Sequence, residues 1–99
     1  MSWLIFVGER QNFKIKGNAL SIATIGNVNG LGNITQIPES AFWTNEVAVI
    51  KNNGYIVKMS DGTYIRLFVS NWKEEYAVSY NGSTYTKYYC TIKWCSFNP

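Results

Sequence analysis

Apolar and polar residues alternate along most of this chain, and the clearest alternation runs from Gly54 to Trp72, GYIVKMSDGTYIRLFVSNW. Tyr55, Val57 and Met59 alternate with Ile56, Lys58 and Ser60. Beyond the bend, Ile65, Leu67 and Val69 alternate with Tyr64, Arg66, Phe68 and Ser70. A period of two over β-branched and aromatic residues predicts two strands. Ser60-Asp61-Gly62 supplies the turn between them. A two-residue Asp-Gly loop would set Met59 against Tyr64 and Val57 against Arg66, mixing the faces. A three-residue loop with Gly62 left-handed pairs Val57 with Ile65 and Tyr55 with Leu67 on one face. It also pairs Lys58 with Tyr64 and Ile56 with Arg66 on the other. A slip of one residue turns every side chain to the wrong side, so the pattern predicts the three-residue loop.

The same pattern predicts the remaining elements. Trp3 to Val7 is an apolar run that predicts a buried strand, followed by a polar loop from Gly8 to Asn12. Phe13 to Lys16 is a short half-exposed strand, and Gly17-Asn18 a turn. Leu20 to Ile25 alternates, with Leu20 and Ile22 expected on one side. Gly26 to Ile34 holds three Gly and three Asn in nine residues. It predicts a wide loop or bulged edge strand, because its glycine spacing fits neither a P-loop nor a dinucleotide fingerprint. Pro38 to Trp43 is the one stretch with helical turn character, Pro standing at a first helical position. Glu46 to Lys51 is a strand, with Asn52-Asn53-Gly54 as its exit turn. Lys73-Glu74-Glu75 predicts a charged break before a strand from Tyr76 to Tyr80. Asn81-Gly82 signals a second hairpin. A three-residue turn from Tyr80 to Gly82 sets Tyr76 and Val78 opposite Thr86 and Thr84. The last strand, Thr84 to Phe97, is the longest.

About seven to eight strands with turns roughly every ten residues predict an all-β domain. The expectation is a small antiparallel β-sandwich or open barrel with one short helical turn, spanning residues 1–99 as a single domain. Hydrophobic residues make up 46% of the chain, enough for a core, and charged residues only 15%, below the usual quarter. Low charge and many aromatics predict an apolar exterior that favours self-association, so a homo-oligomer is expected.

The chain contains no histidine. This excludes His-based acid–base catalysis, the Ser-His-Asp and Cys-His systems, and His-containing metal sites. Two cysteines cannot form a four-thiolate site. Cys90 and Cys95 on one strand lie about 16 Å apart, beyond disulfide reach, and are expected as free thiols. No cofactor and no metal are expected. The net charge of +3 is scattered, so nucleic acid is not the expected partner. The apolar run at the start is too short for a membrane span or a signal-peptide core. The chain as written therefore reads as soluble, with an envelope or secreted location if a leader has been removed.

The hairpin of residues 54–72, preceded by GLGNITQIP and followed by a strand containing TIKW, resembles a group of small proteins of gut Bacteroidetes. These look like cell-envelope β-domains with no established activity. In that group a stretch like GLGNI leads to a Pro-Glu-Ser turn, here Pro38-Glu39-Ser40. A hairpin like 54–72 and a closing strand like Thr91 to Trp94 follow. The likeness runs from about Val28 to Phe97. It implies the antiparallel β-fold and an envelope setting, although the lipoprotein leader that such proteins often carry is not in this sequence.

Candidate binding residues lie on the even face of the hairpin: Lys58, Tyr64, Arg66 and Phe68. Either a second layer containing Trp3, Phe6 or Trp43 covers this face, or it is an exposed aromatic and basic platform. Aromatic faces stack on sugars or bases, and Arg pairs with carboxylate or phosphate. Glu74 and Glu75 are adjacent, so on an extended chain they face apart. That does not make a glycosidase pair, and a solvated loop is expected. Trp72 and Trp94 are expected to close apolar strand faces. The resulting expectation is a non-catalytic module that binds carbohydrate or protein. The alternatives are a nucleic-acid-binding small barrel and a carboxylate-only hydrolase.

Overall fold

The computed structural model describes residues 4–7, 11–80 and 83–97, and for 73–80 and 83–89 the backbone course alone. Trp3, most of the Gly8 to Asn12 loop and the Asn81-Gly82 turn lie outside the described residues. Seven strands form two antiparallel sheets. They are β1 (Leu4–Val7), β2 (Asn12–Ile15), β3 (Ala19–Asn27), β4 (Glu46–Ala48), β5 (Asn53–Met59), β6 (Tyr64–Tyr80) and β7 (Ser83–Phe97). The smaller sheet has the order β1-β2-β4 and the larger β3-β5-β6-β7. An isolated bridge joins Ile22 of β3 to Thr44, two residues before β4. The all-β antiparallel fold, expected as a sandwich or open barrel, is therefore the architecture, with its described strands in two sheets. Among the described residues, no helix is long and apolar enough to cross a membrane.

The central hairpin, β5–β6, has the register that alternation demands. Val57 pairs with Ile65, Tyr55 with Leu67, Lys58 with Tyr64 and Ile56 with Arg66. Met59 N donates to Thr63 O at 2.9 Å, Gly62 N donates to Met59 O at 3.1 Å, and Gly62 has φ +88°. Only glycine occupies that conformation without strain. Asp61 Oδ1 accepts from Thr63 N at 2.9 Å and from Thr63 Oγ1 at 2.6 Å. These bonds favour the charged carboxylate and hold its pKa below the ordinary aspartate range.

One face of this hairpin forms the main core. Ile22, Tyr55, Val57, Met59, Leu67 and Val69 from the large sheet pack against Phe13, Val47 and Val49. Tyr55 is buried whole because its hydroxyl is satisfied: it donates to Ala48 O at 2.7 Å and accepts from Ile50 N at 3.0 Å. Burial pushes its pKa up. The edge of its ring meets Phe13, with centroids 5.7 Å apart. Tyr55→Phe keeps the packing but strips two backbone groups of their partner. It is expected to cost about 1–3 kcal/mol, read as a lower urea midpoint with an unchanged slope.

Four expectations are corrected by the structure. The first strand is half-exposed and not buried, because β1 is an edge of the small sheet. Leu20 and Ile22 do not share a face. The register shifts between Ala19 and Ser21, which makes Leu20 the extra residue of a bulge. Leu20 is 52% exposed and Ile22 fully buried. The helical turn lies at Leu31–Asn33, among the glycines, and not at Pro38 to Trp43, where a single Ala41 N to Pro38 O bond closes one turn. Finally, Lys73-Glu74-Glu75 does not break the chain. β6 runs through it, with Lys73 opposite Tyr89, Glu74 opposite Tyr88 and Glu75 opposite Lys87. Three charges without Gly or Pro carry no turn geometry, so the strand continues.

β6 and β7 are much longer than their neighbours. The pairing of β5 with β6 ends at Phe68, and the rest of the β6 ladder is shared with β7 alone. This ribbon accounts for a radius of gyration of 14.7 Å, against about 13 Å for a compact chain of this size. Tyr76 lies opposite Thr86 as expected. A register shift follows, and Tyr80 pairs with Ser83. A second shift, between Val69 and Asn71, reverses the alternation of β6. It brings Trp72 onto the main core beside Val69, with its ring 5.5 Å from Phe6.

Candidate functional site

The even face of the hairpin is covered, and among the described residues Phe6 is not part of its cover; Trp3 lies outside them. Phe6 packs on the opposite face, with Phe13 and Trp72. The covering segment is residues 28–43, a strap crossing the large sheet. Beneath it lies a second cluster of Ile34, Ile56 and Phe97, with Ile25, Val28, Leu31, Ile37, Trp43 and Tyr64 packed around it. Trp43, one of the expected covering residues, is found here, with its ring 6.2 Å from that of Tyr64.

Two features seat the strap. The first is Gly54, which looks like a turn residue in sequence but sits buried inside β5. A Cβ at this position would lie 2.8 Å from Ile34 Cδ1 and 3.2 Å from Val28 Cγ2, so the missing side chain is what admits the strap. The second is Arg66. Its Nη1 donates to Ile34 O at 2.9 Å and to Leu31 O at 3.4 Å, and its Nε to Cys95 Sγ at 2.9 Å. Its guanidinium carbon stands 5.9 Å from the centre of the Phe97 ring, within reach of a cation–π contact.

The candidate residues are thus placed as follows. Lys58 and Tyr64 are partner residues at the turn end of the face and are half-buried. Arg66 occupies the middle, opposite Ile56 on one side and Cys95 on the other. Phe68, 7% exposed, lies opposite Gly54. The four share a face, but that face is a roofed layer and not an open platform. Sequence reasoning missed Gly54, Ile34 and Lys93. Lys93 pairs with Phe68 and joins the same face from β7.

Both cysteines are free. Cys90 packs on the main core, and burial pushes its thiol up in pKa. Among the described residues, no group of three or more His, Cys, Asp or Glu side chains could hold a metal ion.

The edges of the large sheet form a second candidate surface. Its first edge, β3, is capped. Ile22 and Thr44 exchange two backbone bonds of 2.9 Å, and two register shifts interrupt the strand. The other edge is β7, beyond which no described strand lies. From Ile92 to Phe97 its register is unbroken. Asn52 N donates to Val69 O at 2.8 Å, which directs the Val69 backbone toward β5. Alternation then directs Lys93, Cys95 and Phe97 toward β6, and the backbone groups of Ile92, Trp94 and Ser96 toward the outer edge. Trp94 lies opposite Leu67 and is 54% exposed on this edge strand.

Compared with known proteins, the chain matches no family model, no curated protein and no solved structure.

Proposed function

We propose that this protein is a non-catalytic interaction module that associates by strand addition along β7. The observation that carries this reading is the unequal treatment of the two edges of one sheet. β3 is capped and bulged, whereas β7 is 15 residues long, regular over Ile92 to Phe97 and without a described neighbour. An exposed edge of this kind is a template for another strand. The absence of histidine and the turn-bound state of Asp61 support a non-catalytic role. An envelope setting belongs to the same proposal and rests on the resemblance described above.

The simplest partner is a second copy of the chain, paired antiparallel about a two-fold axis. Charge selects among the registers. An axis at Cys90 sets Lys87 against Lys93 of the second copy, and like charges directly opposite are unfavourable. An axis at Trp94 sets Lys93 against Cys95 and Ile92 against Ser96. It also brings the two exposed Trp94 rings together. Proline tests this directly, since it removes one backbone donor. Ser96→Pro removes an outward donor and is expected to leave folding intact while abolishing the dimer in light scattering. Lys93→Pro removes an inward donor, so it is expected to lower the melting temperature of the domain itself. A wild-type chain that stays monomeric at millimolar concentration contradicts the self-association.

A further inference from the structure

We propose that the roofed face beneath the strap is a binding site for an amphipathic carboxylate, a small molecule with one carboxyl group and an apolar tail. This inference is independent of the β7 edge.

Nine register positions of β5, β6 and β7 share this face. In rows they are Lys58, Tyr64 and Phe97; Ile56, Arg66 and Cys95; and Gly54, Phe68 and Lys93. Three are cations, three are aromatic and none is acidic. An arginine drawn into an apolar layer ordinarily finds a carboxylate. Arg66 instead donates to the neutral carbonyls of Leu31 and Ile34 and to a thiol. Neutral carbonyls satisfy its donors without balancing its charge. A carboxylate does both, and its two oxygens match the guanidinium fork.

The strap is built to be exchangeable. Along 28–43 it joins no sheet, and its own backbone bonds are those of the 3-10 turn and the Pro38–Ala41 turn. It is held by Val28 N donating to Asn52 O, by Ile34 seated over Gly54, by the packing of Leu31, Ile37 and Trp43 on the cluster below, and by the two Arg66 bonds. Lifting the Leu31 to Ile34 segment frees the Arg66 fork. It also uncovers Ile56, Tyr64 and Phe97, an apolar bed for the tail. Phe42, 78% exposed, lies on the same strap.

The carboxylate therefore competes with two carbonyls for Arg66, and closure of the strap acts as a tax on affinity. This predicts opposite signs for two changes. Gly54→Ala places a methyl group against Ile34 and loosens the strap. Decanoate, used below its micelle concentration, is expected to bind this variant roughly three- to ten-fold more tightly than wild type. Arg66→Met keeps an unbranched apolar stem and is expected to abolish binding. Arg66→Lys keeps the charge without the fork and is expected to weaken it.

The experiment is calorimetric titration of the folded full chain with decanoate, decanol and acetate, paired with amide exchange over residues 28–43. Binding of decanoate alone, with faster exchange at Asn33 and Ile34, is the expected result. If Gly54→Ala fails to fold, Ile34→Ala loosens the same contact and is expected to tighten binding likewise. Equal binding of decanol and decanoate, retained binding in folded Arg66→Met or Arg66→Lys at wild-type affinity, or no decanoate binding by wild type and Ile34→Ala overturns the site.

Discussion

Deleting Lys58 is expected to abolish cooperative unfolding. The deletion leaves the Ser60-Asp61-Gly62 loop and the Met59–Thr63 pair in place, and shifts the rest of β5 against β6 by one position. Tyr55, Val57, Leu67 and Val69 are all buried in the main core. After the slip, Val57 lies beside Tyr64 and Tyr55 beside Arg66. Either Arg66 enters the core without the Ile34 carbonyl, or Tyr55 and Val57 leave it. Each alternative exceeds the stability of a small domain, about 5–15 kcal/mol at most. Urea unfolding followed by tryptophan fluorescence checks this. The wild-type chain should give one sigmoidal transition, and the deletion a sloping, non-cooperative curve. A sigmoidal transition with the wild-type midpoint would show that the alternation of β5 does not fix its register.

The second large effect separates two leucine-like residues that strict alternation places together. Ile22 is fully buried between the sheets, and Leu20 is half-exposed at a bulge. Ile22→Ala is expected to cost about 2–5 kcal/mol, the range for a truncated core residue. Leu20→Ala should change stability by no more than about 0.5 kcal/mol, the usual surface range. Equal losses at the two positions would mean that β3 is regular and that Leu20 faces inward. The same pair of urea curves decides between these outcomes.

These two cases mark where sequence reasoning reaches and where it stops. The central hairpin is legible because two independent signals agree. Turn chemistry at Ser60-Asp61-Gly62 allows two loops, and the alternation of Tyr55 to Val69 selects one of them. Bulges have no such signature. Leu20 and Ser70 sit in runs that look regular, and each becomes the extra residue only because of what its partner strand offers. The continuity of β6 is a related case. Lys73-Glu74-Glu75 is polar, which suggests interruption, but a strand ends where backbone geometry changes and not where charge appears.

The even face of the hairpin shows a different limit. Its residues, Lys58, Tyr64, Arg66 and Phe68, are readable as one surface from alternation alone. What covers them is not, because the strap has no periodicity of its own. The one available signal is Gly54. An exit turn was already supplied by Asn52, which has φ +69°. The following Asn53 and Gly54 belong to the strand, and a glycine inside a strand marks the close approach of another chain segment. Reading Gly54 in that way points to a layer above it. It does not identify Ile34 as the residue that fills the space.

The most direct test of the account is residue-resolved amide exchange at two protein concentrations. In dilute solution the amides of Lys93, Cys95 and Phe97 should be protected, and that of Ser96, on the outer side of β7, should exchange freely. Raising the concentration should slow Ser96 while leaving Lys93 and Cys95 unchanged, as a second strand docks along the edge. Protection of Ser96 in the dilute monomer, or free exchange there at every concentration, would contradict the open edge as the site of association.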